Sequence, residues 1–542
     1  MLRLEEETPN EESWPTSETK KPSQEVLVLR VTCVMLFVWA LLTSTALIVT
    51  RASRDSPTGL TCPLPPDSKS GTPRLTILHL NDVYELPSLG GYGGLARCVG
   101  MKKKLLAQNP YTIAVLAGDY LSPSAMSTAE VEGEKLQGRQ MIDLANMFID
   151  FMTFGNHEFD LKVDVLSRRI RESNFTWILS NGFLPGQHSN IVSYVVRVFA
   201  GFRVGIVGVV TDMNTPAYVT IQDYTTTVAT LRGIVRALRM EHSVDVIVAL
   251  THWSIETDSM LAAEGLGLDL IVGGHEHENS YHRATHDLVP IAKADSNART
   301  VYVHELYRDP TGAKKIVVES TLVPMDKDAC QDDAAAADRT AEWWDMAKAA
   351  FAKQGFQVND TAATIDVQWD ATSAVLRTSS NTLTQTISAS MLACSPKPVD
   401  GAFYNSGSLR MDDFLGPGRL TVYDILRLMP YDNRMLAVSL PGEVVQRIWD
   451  ISFGKNRGTG GYLQWSQNFS QSSSSVLLLN GKTLLSDEWY TFLTTDYLVS
   501  GGERNLGFLK LPDDANNTIT RKIGDFGEPL DLRKCFIKYI AS

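Results

Sequence analysis

Residues 151–160, Phe-Met-Thr-Phe-Gly-Asn-His-Glu-Phe-Asp, decide the fold: an apolar run of strand type stops at Gly155 and delivers Asn156 and His157, two metal-ligating residue types. Four more runs end in the same way. Asp82 follows LTILHLN, Asp119 follows TIAVLAG, His252 follows VIVALT, and His275 with His277 follow LDLIVGG. Helical patterns alternate with these strands, so the region reads as α/β, and strand ends of such folds converge on the edge of a sheet where ligands bind. Taken singly, a strand-end histidine is most often structural and an aspartate after glycine most often marks a turn. Five such endings together point to a centre for two cations about 3.5–4 Å apart, which needs a bridging carboxylate and mixed oxygen and imidazole donors.

The ordered set Asp82-Val-Tyr84, Gly118-Asp119-Tyr120, Gly155-Asn-His-Glu-Phe-Asp160, Thr251-His252-Trp253 and Gly273-Gly-His-Glu-His277 resembles the motifs of the calcineurin-like metallophosphoesterases. Within that superfamily the chain is similar to the 5′-nucleotidases, through Gly90-Gly-Tyr-Gly-Gly-Leu-Ala-Arg97 and a matching second region. The resemblance covers Arg74 to Asp525 and implies a four-layer α/β (α+β) sandwich of β-sheets flanked by helices, followed by a smaller α/β substrate-binding domain. It implies two divalent ions, zinc, manganese, cobalt or magnesium. One takes Asp82, the bridging Asp119 and His277, and the other takes Asp119, Asn156, His252 and His275. His157 becomes the catalytic imidazole, with Asp160 orienting it. These residue types suit the work: a carboxylate three residues past the imidazole can reach back and fix its tautomer, and an imidazolium beside a leaving oxygen supplies a proton.

One residue departs from the family pattern. Tyr84 stands where the first motif usually has histidine, so it either coordinates as a phenolate or stands aside for water, and standing aside is the expectation. Tyr120 reads as packing. The glycines of residues 90–97 lack the strand-turn-helix context of a dinucleotide loop and read as a tight turn beside the metals.

In the second region, Phe403-Tyr-Asn-Ser-Gly-Ser-Leu-Arg410 resembles the Asn-Gly-Gly-Gly-Ile-Arg segment of 5′-nucleotidases, which matches Asn405, Gly407 and Arg410. By the same resemblance Arg377 and Arg410 grip the substrate phosphate, Tyr431 and Tyr497 hold the base between their rings, and Glu503 replaces a family aspartate near the nucleoside. The implied reaction is hydrolysis of nucleoside 5′-monophosphates or related nucleotides. Alternatives are a nucleotide-sugar pyrophosphatase or a 2′,3′-cyclic-nucleotide phosphodiesterase on the same scaffold, and, in another class, a catalytically degenerate surface binding protein.

At 542 residues and 44% hydrophobic composition the chain exceeds one core, and its net charge of -12 argues against a surface for nucleic acid polymers. The organisation expected is a cytoplasmic tail over 1–30, a transmembrane helix over 31–50, a Pro-rich stalk over 51–73, the metallophosphoesterase domain over 74–327, a linker helix over 328–364 and the substrate-binding domain over 365–542. Val31 to Thr50 carries no charge and has about the 20 residues that cross a bilayer. The acidic, polar segment before it is unlike the short basic start of a cleaved signal peptide, whose removal would instead give a secreted protein. Sequons at Asn174, Asn359, Asn468 and Asn516 all follow the run, which fits a type II protein with extracellular or lumenal catalytic domains. The cysteines lack a CxxC pair, and at most two disulfides can form among the five beyond the apolar run. Expected partners are a small nucleotide, the chain's own membrane anchor and a second copy in a homodimer.

Overall fold

The computed structural model describes residues 74–542 except 187, 200, 214, 284–288, 313–315, 327–329, 473–476, 511–521 and 524–529. The first domain holds two large sheets. In the first lie β1 (Arg74–Leu80), β2 (Thr112–Ala117), β3 (Phe151–Thr153), β4 (Thr176–Ile178) and β5 (Ile191–Val192), followed in the second by β6 (Tyr194–Phe199), β7 (Phe202–Val210), β8 (Val246–His252), β9 (Leu270–Gly273), β10 (Ser280–His282) and β11 (Ile291–Lys293). The chain then returns to the first sheet through β12 (Thr300–Arg308) and β13 (Ile316–Pro324). Strand order is β13-β12-β1-β2-β3-β4-β5 in one sheet and β10-β11-β9-β8-β7-β6 in the other. Strands β1 to β5 run parallel, as do β7, β8, β9 and β11, so the carboxyl ends within each set point one way.

Side-chain alternation makes the layers. Leu75, Ile77, Ile113 and Val115 face Val204, Ile206, Val246, Val248 and Leu270 in one core between the sheets. Leu78, Leu80, Ala114 and Leu116 point outward, packing with residues of α1 (Leu95–Gln108), α2 (Arg139–Ala145) and α3 (Val163–Glu172). On the far side Val207, Val209, Ile247 and Ala249 meet α4 (Tyr224–Met240) and α5 (Ile255–Ala263). The result is helix, sheet, sheet, helix, as the resemblance implied.

One polar chain crosses the inter-sheet core. Ser320 lies 2.8 Å from His304 Nδ1, His304 Nε2 lies 3.3 Å from His79 Nδ1, and His79 Nε2 lies 3.0 Å from the Gly273 carbonyl. The carbonyl only accepts, so His79 carries its proton on Nε2, His304 donates from Nε2, and the Ser320 hydroxyl donates to His304. Each buried donor finds an acceptor, and strands β13, β12 and β1 are tied to β9 in the other sheet.

Helix α6 (Ala334–Lys353), capped by the Asp333 carboxylate, links the domains: Trp343 donates to Asp143 of α2 at 2.7 Å, and Trp344 packs edge-on against Tyr423 at 4.5 Å. The second domain contains α7 (Thr382–Cys394), β14 (Gly401–Asn405), α8 (Val422–Leu428), β15 (Arg434–Pro441), α9 (Gly442–Phe453), β16 (Leu463–Trp465), β17 (Trp489–Thr495), β18 (Lys522–Ile523) and α10 (Leu532–Ile540). Its main sheet runs β16-β14-β17-β15-β18, and a disulfide between Cys394 and Cys535 joins α7 to α10. Cys330 is disulfide-bonded as well, while Cys98 is free and buried. The strand-like run Tyr490 to Leu498 divides: pairing with β15 stops at Thr495 opposite Met435, and Asp496–Val499 turns helical, taking Tyr497 with it.

Among the described residues no helix is long and apolar enough to cross a membrane, and Val31 to Thr50 lies outside them. Asn174 and Asn359 are exposed, whereas the Asn468 amide donates to Asp400 and accepts from Ser466; Asn516 lies outside the described residues.

Candidate metal centre

Each candidate ligand sits where a strand breaks sharply. Asp82, Asp119 and His275 follow β1, β2 and β9 by two residues and all have positive φ, 51°, 56° and 88°. Few residues other than glycine adopt that conformation, and it turns their side chains back over the strand ends. Neighbouring glycines leave the room this needs: a Cβ on Gly118 would stand 2.6 Å from both Gly155 N and His252 Nδ1, and one on Gly274 would stand 2.4 Å from the Ala117 carbonyl.

Asp82 Oδ2 accepts from Asn81 at 2.8 Å and from the His275 amide at 2.9 Å, and its Oδ1 lies 3.9 Å from His252 Nε2. Asp119 Oδ1 accepts from the His157 amide at 2.8 Å, and its Oδ2 lies 3.2 Å from His252 Nε2. His252 Nδ1 donates to the Ala117 carbonyl at 2.7 Å, which leaves Nε2 for the centre. Ligand atoms of Asp82, Asp119 and His252 fall within 4.8 Å of one another, all buried. His252 Nε2 and Asn156 Oδ1 have no hydrogen-bond partner, an arrangement costing about 1–3 kcal/mol each unless something binds them. Buried carboxylates, an imidazole nitrogen and an amide oxygen left open suit divalent cations.

Without an ion, the two carboxylates draw positive charge to the centre in the form of a proton on His252. Burial pushes His252 down, but Asp119 and Asp82 outweigh it and bring the imidazole up to about 9. Burial and the neighbouring His252 press His275 down to about 3, so it is a neutral donor; the two rings meet edge-on at 5.2 Å. His157 and Asp160 lie three apart on a 3-10 turn, Asn156–Asp160, with Nδ1 2.8 Å from the carboxylate. Burial opposes the Asp160 charge, yet His157 holds its carboxyl below the usual range, with a further contribution from Arg410.

Tyr84 does not turn away. Its hydroxyl lies 3.0 Å from His277 Nε2, 3.2 Å from Asp119 Oδ2 and 3.3 Å from Asp82 Oδ1, among the ligands themselves. Burial, then Asp119 and Asp82, raises its phenol well above the ordinary value. The glycine turn beside it is fixed by Arg97, which donates to the carbonyls of Gly91, Gly93 and Met325.

The second domain brings Arg377 and Arg410 to the same place, both feeling the Asp160 charge. The Arg410 guanidinium lies 5.7 Å from the centre of the Tyr431 ring. Tyr497, 39% exposed, donates to the Gly502 carbonyl at 2.9 Å. Asn405 donates to Glu503 at 3.4 Å, and its buried Oδ1 is unpaired. Gly407 donates to the Gly460 carbonyl at 2.7 Å, too close for a side chain. The structure thus brings Asp82, Tyr84, Asp119, His252, His275 and His277 together, with His157 joined to Asp119 through its amide, and in the second domain sets Arg410 by Tyr431 and Asn405 by Glu503.

Two family models match the chain, calcineurin-like phosphoesterase over residues 75–279 and 5′-nucleotidase, C-terminal domain over 361–510. The chain belongs to the 5′-nucleotidase family of calcineurin-like phosphoesterases. A 5′-nucleotidase of Vibrio vulnificus is 22% identical over 81% of this chain and 86% of its own length. A 5′-nucleotidase precursor from Thermus thermophilus shares the fold with a TM-score of 0.66, at 21% identity over 86% of this chain and 96% of that one. The Thermus thermophilus sulfate thiohydrolase SoxB, at 13% identity over 88% of this chain and 95% of that one, shares it with a TM-score of 0.58, so the fold alone does not fix the reaction.

Three residues of this 5′-nucleotidase-family centre escape sequence reading. Glu158 accepts the amides of Gly155, Tyr120, Asp119 and Leu121 at 2.6–3.0 Å, clamping two ligand turns together. Burial and Asp119 push its carboxyl up to about 7. Lys293, wholly buried, donates to the carbonyls of Trp253 at 2.5 Å and Gly274 at 2.8 Å and pairs with Asp258 at 3.0 Å and with Glu276, so one ammonium ties the His252 loop to the His275 loop. Asp412 lies 2.9 Å from His277 Nδ1. Glu158 sat inside the quoted motif, and an acid flanking a ligand was the available signal; Lys293 and Asp412 carry none.

Proposed function

We propose that this hydrolase acting on phosphoric esters releases phosphate from nucleoside 5′-monophosphates or related nucleotides. The observation that carries the reading is the Asp82, Asp119 and His252 cluster at the strand ends, with the second-domain Arg410 close enough to act on Asp160. The family uses two divalent ions: Asp82, Asp119 and His277 would hold one, and Asp119, Asn156, His252 and His275 the other. Bound there, the ions compensate the phosphate charge and make water acidic enough to attack at neutral pH. The chain's own residues do the rest. Asp160 fixes the His157 tautomer, and the protonated imidazole gives its proton to the departing 5′ oxygen as the phosphorus–oxygen bond breaks. Arg377 and Arg410 grip the phosphate oxygens, Tyr431 and Tyr497 stack on the base, and Asn405, Gly407 and Glu503 border the nucleoside.

Val31 to Thr50 supports anchoring as a single-pass type II protein with these domains at the cell surface or in a lumen, and a disulfide between Cys394 and Cys535 is the chemistry of such oxidising compartments. The deciding experiment is phosphate release by the purified full chain from mono-, di-, cyclic and sugar nucleotides, with and without chelator. Monophosphates should lead, and chelation should abolish turnover reversibly. Preference for a sugar or cyclic nucleotide would move the assignment to those hydrolases, and no turnover with metal added would leave a binding protein.

A further inference from the structure

We infer that Asp412 of the second domain is the positioning residue for His277, so that one of the two ion positions is assembled from both domains. The inference rests on the metallophosphoesterase reading above and adds a residue that the motifs do not contain. A histidine that binds a cation through one ring nitrogen carries its proton on the other, and an acceptor there fixes ring orientation and raises ligand basicity. His252 finds that acceptor within its own domain, the Ala117 carbonyl. His277 does not. Its Nε2 faces the cluster, 3.5 Å from Asp82 Oδ1 and 3.0 Å from the Tyr84 hydroxyl. Its Nδ1 has no aligned hydrogen-bond partner among the described residues, and the group beside it is the Asp412 carboxylate at 2.9 Å.

Asp412 is itself held in place. It has a positive φ of 48°, and its Oδ1 accepts the Ser373 amide, which leaves Oδ2 for the imidazole. Two contacts fix the seam around it: Arg299 pairs with Asp413, and Tyr423 donates to Glu85 at 2.6 Å. A carboxylate can only accept, so it assigns the His277 proton to Nδ1 and reserves the Nε2 lone pair for the ion.

The test is Mn²⁺ binding by the full chain, wild type against Asp412→Asn, by titration and by bound-metal analysis. The carboxamide keeps the shape but loses the charge and can present N–H to the ring. One of two ions should bind about 10–100-fold more weakly, the scale for losing such an outer partner, while the other keeps its affinity. Turnover lost at low Mn²⁺ should return at high Mn²⁺. Asp413→Asn, which loosens the same seam without touching His277, should titrate like wild type. Unchanged affinities in Asp412→Asn, equal weakening of both ions, or the same weakening in Asp413→Asn would each overturn the role. A wild type that binds fewer than two ions, or hydrolyses no nucleotide, would instead sink the functional reading itself.

Discussion

Tyr84 is the residue on which the chemistry of the centre turns. Burial and two carboxylates oppose ionisation of its phenol in the metal-free centre, and a phenol that stays neutral is a hydrogen-bond donor and a poor ligand. In that state its single proton goes to one of Asp82, Asp119 and His277, and the hydroxyl rests against the other ligand atoms. Tyr84→Phe should keep two ions per chain and change turnover by no more than about fivefold, the worth of one ~1 kcal/mol hydrogen bond. Tyr84→His should tighten the ion held by Asp82, since imidazole is a good ligand for zinc or manganese. Bound-metal analysis and turnover, measured on the same Phe preparation, decide it: one ion lost with activity falling would make Tyr84 a ligand.

Between strands, the chain from Ser320 through His304 and His79 to Gly273 gives the sandwich a dependence on acid. Burial holds His79 down at about 4, against 6.5 for a free imidazole, and His304 well below its ordinary value. Between those values the unfolded chain takes up a proton that the folded chain refuses, so stability is full above about pH 6.5 and falls as pH drops towards 4. For His79 alone the loss is about 3 kcal/mol across that window. Urea midpoints at descending pH should show the decline, and a shallower slope in His79→Gln would assign it; an identical slope would remove His79 from the account. The same strands show what could be read in advance. Ligands at strand ends were legible because an apolar run and the residue closing it are neighbours in sequence. The helical turn of Asp496–Val499 was not, because β-favouring residues continue to Thr495 and only the loss of a pairing strand past Met435 ends the ladder. Lys293 and Asp412 were hidden for a related reason: their partners come from distant parts of the chain and meet only after the sheets and domains have packed.

For the whole molecule, α6 and the seam at Asp413 and Glu85 join the domains, and the Cys394–Cys535 bond closes a separation of 141 residues in the second. Removing that bond in a Cys394→Ser variant should cost about 2–5 kcal/mol, read as a lower thermal midpoint, while leaving the ligand cluster and its ion content intact. Full-length protein should stay with membranes through an alkaline carbonate wash, and a chain starting near Ser70 should be soluble and active. A mature terminus near residue 50 would show a cleaved signal instead. Glycosidase digestion should reveal sugar on Asn174 and Asn359 rather than Asn468, whose amide is already engaged.

The left-handed backbone at Asp82 and Asp119 bears on how such a scaffold could drift after gene duplication. Asparagine and aspartate share an unusual tolerance for that conformation, so an Asp→Asn exchange at either position leaves the turn intact while it removes the negative charge and turns one acceptor oxygen into a donor. Most other replacements would strain the turn and disturb the sandwich. The path of least resistance from a working copy to an inert, well-folded decoy thus runs through a single carboxylate becoming a carboxamide. A paralogue that keeps every glycine of the centre but reads Asn-Val-Tyr in its first motif would be its expected product.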